Sequence, residues 1–466
     1  FVGTLDIRKE MNVGFEDPMT IAVGAEYRRE TYIIGAGDAA SLYIEGGQSL
    51  PGYAQSHAGT TKRNAKAVYA NIIAKPVPAW TVDLAGRYED YNDFGDTLIG
   101  KITSRFDFSD AIAIRGTAST GFRAPSLQEG GYSATNVGPT AATLQLAPSS
   151  PGSASAGFGA LSPEKSVNLS AGIVLRPIPR LTITLDGYYI KIKDRIVSSG
   201  GITGQQFVNL TADPVRVGID TNAAPINGLT PYQLVLNAIT ASGKQLDPTV
   251  LQRGTLAIQT FTNGIDTSTK GLELAARYPV ELGFGKLDLS LGANYNVTKV
   301  TKNKLGLLFG PTAQQVIEKA SPDYKINLGA LFTSGKFSAN ARVNYYGKVN
   351  SYVQPNATSI NGVVVGGVRT VQGVQAPILL SNGQRYYNAE VAAAAIIDLE
   401  LGYDITKFAN IAIGANNLFN KMPETPPLVA NYDPATWPTT GVSPYINNGG
   451  AVNQPFAFGP YGPQRA

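Results

Sequence analysis

Few residues in this chain of 466 are equipped for bond chemistry. There is no cysteine, which excludes a thiol nucleophile, a disulfide framework, a zinc finger and an iron–sulfur cluster. His57 is the single histidine, so any histidine-dependent triad must use it and no His-x-x-x-His metal pair exists. It lies in Ser56-His57-Ala58, with no nucleophile elbow around any serine, and reads as a solvated loop histidine rather than the base of a serine hydrolase. Gly35-Ala36-Gly37-Asp38-Ala39-Ala40 spells the G-x-G-x-x-A of a dinucleotide phosphate loop. That loop needs a helix behind it in a βαβ unit, and a Gly/Ser/Tyr-rich run follows instead. No catalytic residue, cofactor site or metal ligand is therefore expected. A formal net charge of +4 over this length does not suggest nucleic acid as a partner.

Two sets of side chains remain that could contact a ligand. Arg87, Arg115, Arg123, Glu273 and Arg342 stand on the polar faces of alternating runs. Arg115 and Arg123 read first as members of an ion-pair ladder within the wall, with acidic neighbours such as Glu89 or Asp83, and second as contacts to a plug or ligand. Tyr53, Tyr132, Tyr352 and Tyr386 stand on long connections, where aromatics offer large contact area at little entropic cost. They can stack on a sugar or chelate ring, or pack one loop against another.

The elements that must position them are strands. Apolar residues recur with period two, not 3.6. Over residues 286–298, Leu287, Leu289, Leu291, Ala293, Tyr295 and Val297 share one face, opposite Asp288, Ser290, Asn294 and Asn296. The pattern predicts about 14 strands: 1–11, 19–34, 63–75, 80–91, 97–107, 111–122, 164–176, 181–193, 267–279, 286–299, 322–333, 336–347, 393–405 and 409–418. In 181–193 the apolar phase runs Leu181, Ile183, Leu185 and then Tyr188, Ile190, Ile192, which predicts a bulge near Gly187. Many runs have the roughly 9–11 residues that a tilted strand needs to cross a bilayer, against about 5–6 for an average soluble strand.

Connections alternate in length. Short ones fall at 16–18, 76–79, 108–110, 177–180, 280–285, 334–335 and 406–408. Long ones span 35–62, 123–163, 194–266, 301–321, 348–392 and 420 onward, with 92–96 the one brief member of that set. This is the asymmetry of an outer-membrane barrel with short periplasmic turns and long extracellular loops. Aromatics such as Trp80, Tyr88, Phe337 and Tyr345 close the apolar faces, as in an interfacial girdle. Charged residues make up only 15% of the chain, as expected when one face of the wall meets lipid. The competing reading of the same alternation is a soluble all-β domain whose apolar face is its core. No apolar run approaches the ~18 residues of a membrane helix, which a barrel does not need.

Several stretches resemble the TonB-dependent receptor family. Ile114-Arg115-Gly116-Thr117-Ala118-Ser119-Thr120-Gly121-Phe122-Arg123-Ala124-Pro125-Ser126 is similar to its GFRAP signature. Gly86-Arg87-Tyr88-Glu89-Asp90-Tyr91-Asn92-Asp93-Phe94-Gly95 resembles a family strand end, and Leu161-Ser162-Pro163-Glu164-Lys165-Ser166 a family strand start. Thr269-Lys270-Gly271-Leu272-Glu273-Leu274 and Gly414-Ala415-Asn416-Asn417-Leu418-Phe419-Asn420-Lys421-Met422-Pro423 match two further signatures, all in family order.

The resemblance implies an all-β transmembrane antiparallel barrel of the 22-stranded type in the outer membrane, with these strands as the eighth to the twenty-first. It implies that residues 1–466 are a partial barrel domain, without the N-terminal plug, the TonB box and the last strand, which 459–466 would begin. The implied function is not enzymatic. It is uptake of a scarce small molecule such as a ferric siderophore, haem, cobalamin or oligosaccharide, by loop capture and energy-coupled gating. The implied partners are outer-membrane lipid, the ligand, and the TonB complex acting through the plug, which the five charged residues would also contact. The alternatives are a passive pore or adhesin barrel and, more remotely, an outer-membrane hydrolase.

Overall fold

The computed structural model describes residues 1–41, 52–53, 55–137, 141–209, 216–219, 229–243, 255–353 and 385–421, with three two-residue strands between 364 and 379. Fourteen long strands form one wall: β1 (Val2–Met11), β2 (Asp17–Ile34), β3 (Gly59–Val77), β4 (Trp80–Tyr91), β5 (Gly95–Ser109), β6 (Ile112–Arg123), β7 (Glu164–Leu175), β8 (Thr182–Ser198), β9 (Thr255–Leu282), β10 (Gly285–Asn303), β11 (Tyr324–Ser334), β12 (Phe337–Tyr346), β13 (Ala394–Thr406) and β14 (Ala409–Ala415). Each pairs antiparallel with the next, giving an uninterrupted meander. Every strand expected from the alternation is present. β1 and β14 form no ladder with each other among the described residues. Residues 459–466 lie outside the described residues.

The period-two sequence becomes two surfaces because register aligns like with like. One row across the wall reads Ile114, Ile173, Leu185, Leu274, Ala293, Ile326, Tyr345, Ala395. The adjacent row reads Arg115, Gly172, Asp186, Glu273, Asn294, Lys325, Tyr346, Ala394. A slip of one residue in any strand would exchange the surfaces, so the pattern itself enforces the register. The apolar face is not covered by protein: Leu98 is 73% exposed, Leu272 53% and Ile413 72%. A continuous apolar face over so many strands far exceeds the few hundred Å² that a water-facing surface tolerates, and it is the face that lipid covers. No described helix is long and apolar enough to cross a membrane; the strands do so.

The bulge in β8 is not at Gly187. The ladders run unbroken past Gly187 to Ala171 on one side and Leu272 on the other. The register shifts instead between Ile192 and Ile196, where Asp194 adopts a φ of 57°. Tyr188, Ile190 and Ile192 therefore share the polar face with Asp186, and the change of phase is a real apolar patch on that face.

All long connections leave one end of the wall. The other end has tight turns, such as the two-residue links after Val77, Ser109, Leu282, Ser334 and Thr406. Two connections expected to be variable loops are folded. The hairpin Ala134–Val137 and Ala141–Leu146 joins the outer part of β9 in parallel, and strand Ile202–Asn209 flanks β9 on its other edge. Helix α1 (Leu127–Gly131) follows β6, and helices α2 (Pro151–Ser155) and α3 (Pro231–Ala241) pack on this small sheet. Ala142, Leu144, Leu146, Ile202, Leu234, Val235, Ala238, Ile239, Leu256 and Ile258 form its dry core, each at most 4% exposed. Helix α4 (Pro311–Lys319) closes the connection after β10, with Glu318 accepting from the Val300 N–H at 2.8 Å.

Candidate functional site

The charged residues of the polar face converge at the loop end of β2–β7. β4 supplies Arg87, Glu89 and Tyr91 on alternate positions, so all three project to the same side. Arg87 donates to Glu89 at 2.7 Å and to Glu26 on β2 at 3.2 Å. Tyr91 donates to Glu89 at 2.7 Å and accepts from Arg28 at 3.0 Å. Arg63 on β3, nearly buried, forks onto Asp93 at 2.6 and 2.8 Å. Its guanidinium also lies over the rings of Tyr91 and Phe94, which stack at 4.3 Å. The stretch similar to the family's strand end thus builds a charge-and-ring clamp.

The GFRAP stretch builds a second clamp beside it. Arg123 meets Glu129 at 2.9 Å and Glu164 at 2.7 Å. Ser126 caps α1, exchanging hydrogen bonds with Glu129 in a capping box. Burial pushes the Glu129 carboxyl up, but the Arg123 guanidinium and the Ser126 N–H outweigh it and hold it below the usual carboxylate range. The rings of Tyr91 and Phe122, 6.0 Å apart, join the two clamps.

Small residues let these partners meet across an intervening strand. Arg28 and Tyr91 are both in register with Ala65, and Glu26 and Glu89, the two carboxylates that accept from Arg87, with Ala67. Arg115 and Asp186 are both in register with Gly172 and pair above it at 2.6 Å. A Cβ on Gly172 would collide with the Asp186 carboxylate. Gly24 does the same for Tyr69 and Asp6. The ladder expected for Arg115 and Arg123 is real, but its partners differ from Glu89 and Asp83. Glu89 belongs to Arg87, and Asp83 takes Lys101 at 2.7 Å. Asp186 and Glu164 come from later strands whose register no local spacing reveals.

The five charged candidates share the polar face without sharing one cluster. Arg87 and Arg123 lie in the two clamps, and Arg115 lies farther down the wall. Glu273 accepts from Asn294 at 3.0 Å on β10. Arg342 makes no ion pair among the described residues, because its register partner Asp398 serves Asn344 and the Asn417 N–H. Between Tyr69, Asn71, Asp83, Arg87 and Lys101 the same face holds a concavity of about 420 Å³.

Of the loop tyrosines, Tyr53 and Tyr132 pack edge-to-face at 6.3 Å, tying two connections together. Burial and the Tyr53 hydroxyl push the Tyr132 phenol up. Tyr352 and Tyr386 lie on strands Val349–Val353 and Arg385–Val391, and their side chains are outside the described residues. His57 is half-buried rather than solvated, with Nε2 3.2 Å from the Thr135 hydroxyl. The sequence reading passed over Arg63, Glu164 and the capped helix α3. Thr230-Pro231-Tyr232-Gln233 ahead of Leu234, Val235, Ala238 and Ile239 is a capping box with helical spacing, and it was sufficient to find that helix.

Among curated proteins none matches the chain. Solved structures do, at low identity. The siderophore receptor PirA of Acinetobacter baumannii is 16% identical with a TM-score of 0.54, over 90% of this chain and 50% of that one. The ferric enterobactin receptor PfeA of Pseudomonas aeruginosa, solved with enterobactin, is 16% identical with a TM-score of 0.57, over 90% and 49%. The outer membrane transporter YddB of Escherichia coli is 11% identical with a TM-score of 0.54, over 91% and 50%. The chain thus spans about half the length of each of these structures, and the likeness is one of fold. The model of the family described as TonB dependent receptor-like, beta-barrel matches residues 2–418. With its strand meander, polar inner face and loop-end clamps, the chain belongs to the TonB-dependent receptor-like β-barrel family, and its place is the outer membrane.

Proposed function

We propose that this chain is the wall and loop cap of an energy-coupled receptor that takes up a scarce small molecule. One observation carries the reading. The long connections leave the same end of the wall at which the polar face gathers its densest charge, in the clamps of Arg63, Arg87, Arg123 and their carboxylates. A passive pore needs a polar lining but not a folded cap at its entrance. Capture falls to the loop tyrosines Tyr53, Tyr132, Tyr352 and Tyr386. Arg87, Arg115, Arg123, Glu273 and Arg342 face a plug or the passing ligand. Gating falls to a plug of the whole protein, worked by the TonB complex. A ferric siderophore is the first ligand to try, followed by haem, cobalamin and oligosaccharide.

The test is uptake by cells that carry the full-length protein as their only such receptor. Radiolabelled ligands of the four classes are offered with and without a proton-motive-force uncoupler. Saturable uptake of one class, abolished by the uncoupler, supports the proposal. Unsaturable, uncoupler-insensitive entry of all small solutes would replace it with a passive pore.

A further inference from the structure

The lipid-facing side of the wall carries its own pattern of charge, separate from the clamps. On β7–β10 the apolar face ends toward the loops in lysines. Lys165 stands directly opposite Lys193. One row farther in, Lys191 and Lys299 flank Ser268. In the next row Lys270 lies between Tyr189 and Val297, its ammonium 5.8 Å from the Tyr189 ring. Immediately below come Leu272 and Tyr295, and then the continuous apolar rows. Neighbouring strands lie about 4.8 Å apart, so these five lysines occupy a patch about 15 Å wide.

Two features distinguish the patch from ordinary surface lysines. None of the five forms an ion pair among the described residues, although Lys304, close by, takes both Asp194 and Asp266. On the polar face Arg63, Arg87, Lys101, Arg105, Arg115 and Arg123 are paired, with Arg342 an exception among the described residues. Like charges directly opposite in a ladder destabilise it, so the Lys165–Lys193 pair is a cost the wall bears unless an anion lies between them. Three of the five, Lys165, Lys191 and Lys193, also line a concavity of about 420 Å³ with Leu98, Val167 and one acid, Asp96.

We propose that this patch binds the phosphate groups of lipid headgroups in the outer leaflet. The occupant is a phosphorylated glycolipid whose acyl chains lie on the apolar rows and whose phosphates sit among Lys165, Lys191 and Lys193. The aromatic–basic border is where a headgroup meets hydrocarbon, and each lysine held at such a surface adds to anion affinity. The assignment is independent of which ligand the receptor transports.

The experiment uses the full-length protein in nanodiscs or detergent, titrated with bisphosphorylated lipid A and, in parallel, with the same lipid stripped of phosphate. Native mass spectrometry counts bound lipid. The wild type is expected to retain the bisphosphorylated form selectively. The variant K165Q/K191Q/K193Q is expected to bind it on the order of a hundredfold more weakly. Lys407→Gln, in the tight turn at the opposite end of the wall, leaves binding unchanged. Equal binding of both lipids, or undiminished binding by the triple variant, overturns the proposal. So does displacement of the bound lipid by inorganic phosphate added at the same concentration, which would make the site one for a free anion. If the triple variant does not fold, K165R/K191R/K193R must retain selectivity and Lys193→Gln alone must weaken it several-fold.

Discussion

The wall and the cap solve opposite problems with the same residue types. In the wall, leucines and isoleucines lie outward and remain open: Leu185 is 43% exposed and Leu272 53%. In the cap, Leu144, Leu234, Leu256 and Ile258 lie inward and are at most 1% exposed. The wall's apolar face is stabilised by lipid and its backbone by the ladder, with almost no side-chain core. The cap is stabilised as a soluble protein is, by a dry core between the small sheet and its helices. Alternation in the wall and 3.6-period packing in the cap are thus two answers to which solvent lies next to the chain.

The comparison can be broken at its strongest point in the cap. Leu256→Ala deletes a fully buried side chain and should cost about 2–5 kcal/mol of cap stability. Hydrogen exchange should show the 134–146 hairpin and α3 opening while β1–β6 stay protected. If protection falls equally along the wall, cap and wall are one cooperative unit and the distinction fails.

The wall's counterpart is Leu185→Arg, in the middle of the apolar rows. A cation facing lipid there should cost about 2–4 kcal/mol, read as a lower urea midpoint in vesicles. Asp186→Asn, one residue along on the other face, removes only the half-exposed pair with Arg115 and should cost at most about 1 kcal/mol. Equal effects would show that both faces meet water.

Thr230→Ala removes the N-cap of α3 and should cost about 0.5–2 kcal/mol, again confined to the cap. The smallest effect is on pH. The depressed Glu129 carboxyl lends stability to the Arg123 clamp that is fully present above the ordinary carboxylate range. That stability is lost as pH falls through the lower, folded value. A Glu129 side-chain NMR titration should have its midpoint below that of an ordinary glutamate. Arg123→Gln should move it back up.

Most of the wall was legible because each strand carries its own evidence. The run 286–298 sorts its side chains on two faces without reference to any other strand. The turns were legible for the same reason. Gly187 misled because a change of phase has two causes, a backbone bulge or a true change of chemistry on a face, and only the neighbouring ladders separate them. The clamps were half legible. Arg87 and Arg123 stood out, but Arg63 and Glu164 enter through register, which farther down the wall joins residues as distant as Arg115 and Asp186. The cap is hidden from strand periodicity because its segments mix short strands with helices, although the Thr230 capping box marks its main helix.

By itself the sequence determined the repeat, the face of each residue and the end from which the long connections leave. Those follow from local alternation and turn residues, and hydrophobic burial acts on them one strand at a time. Tertiary structure alone decided which charges meet between strands, because partners such as Arg115 and Asp186 lie two strands apart and depend on a small residue between them, here Gly172. It also decided that two connections fold into a core, and that the lysines of four separate strands share one lipid-facing patch. Those are sums over register, and no single segment contains them.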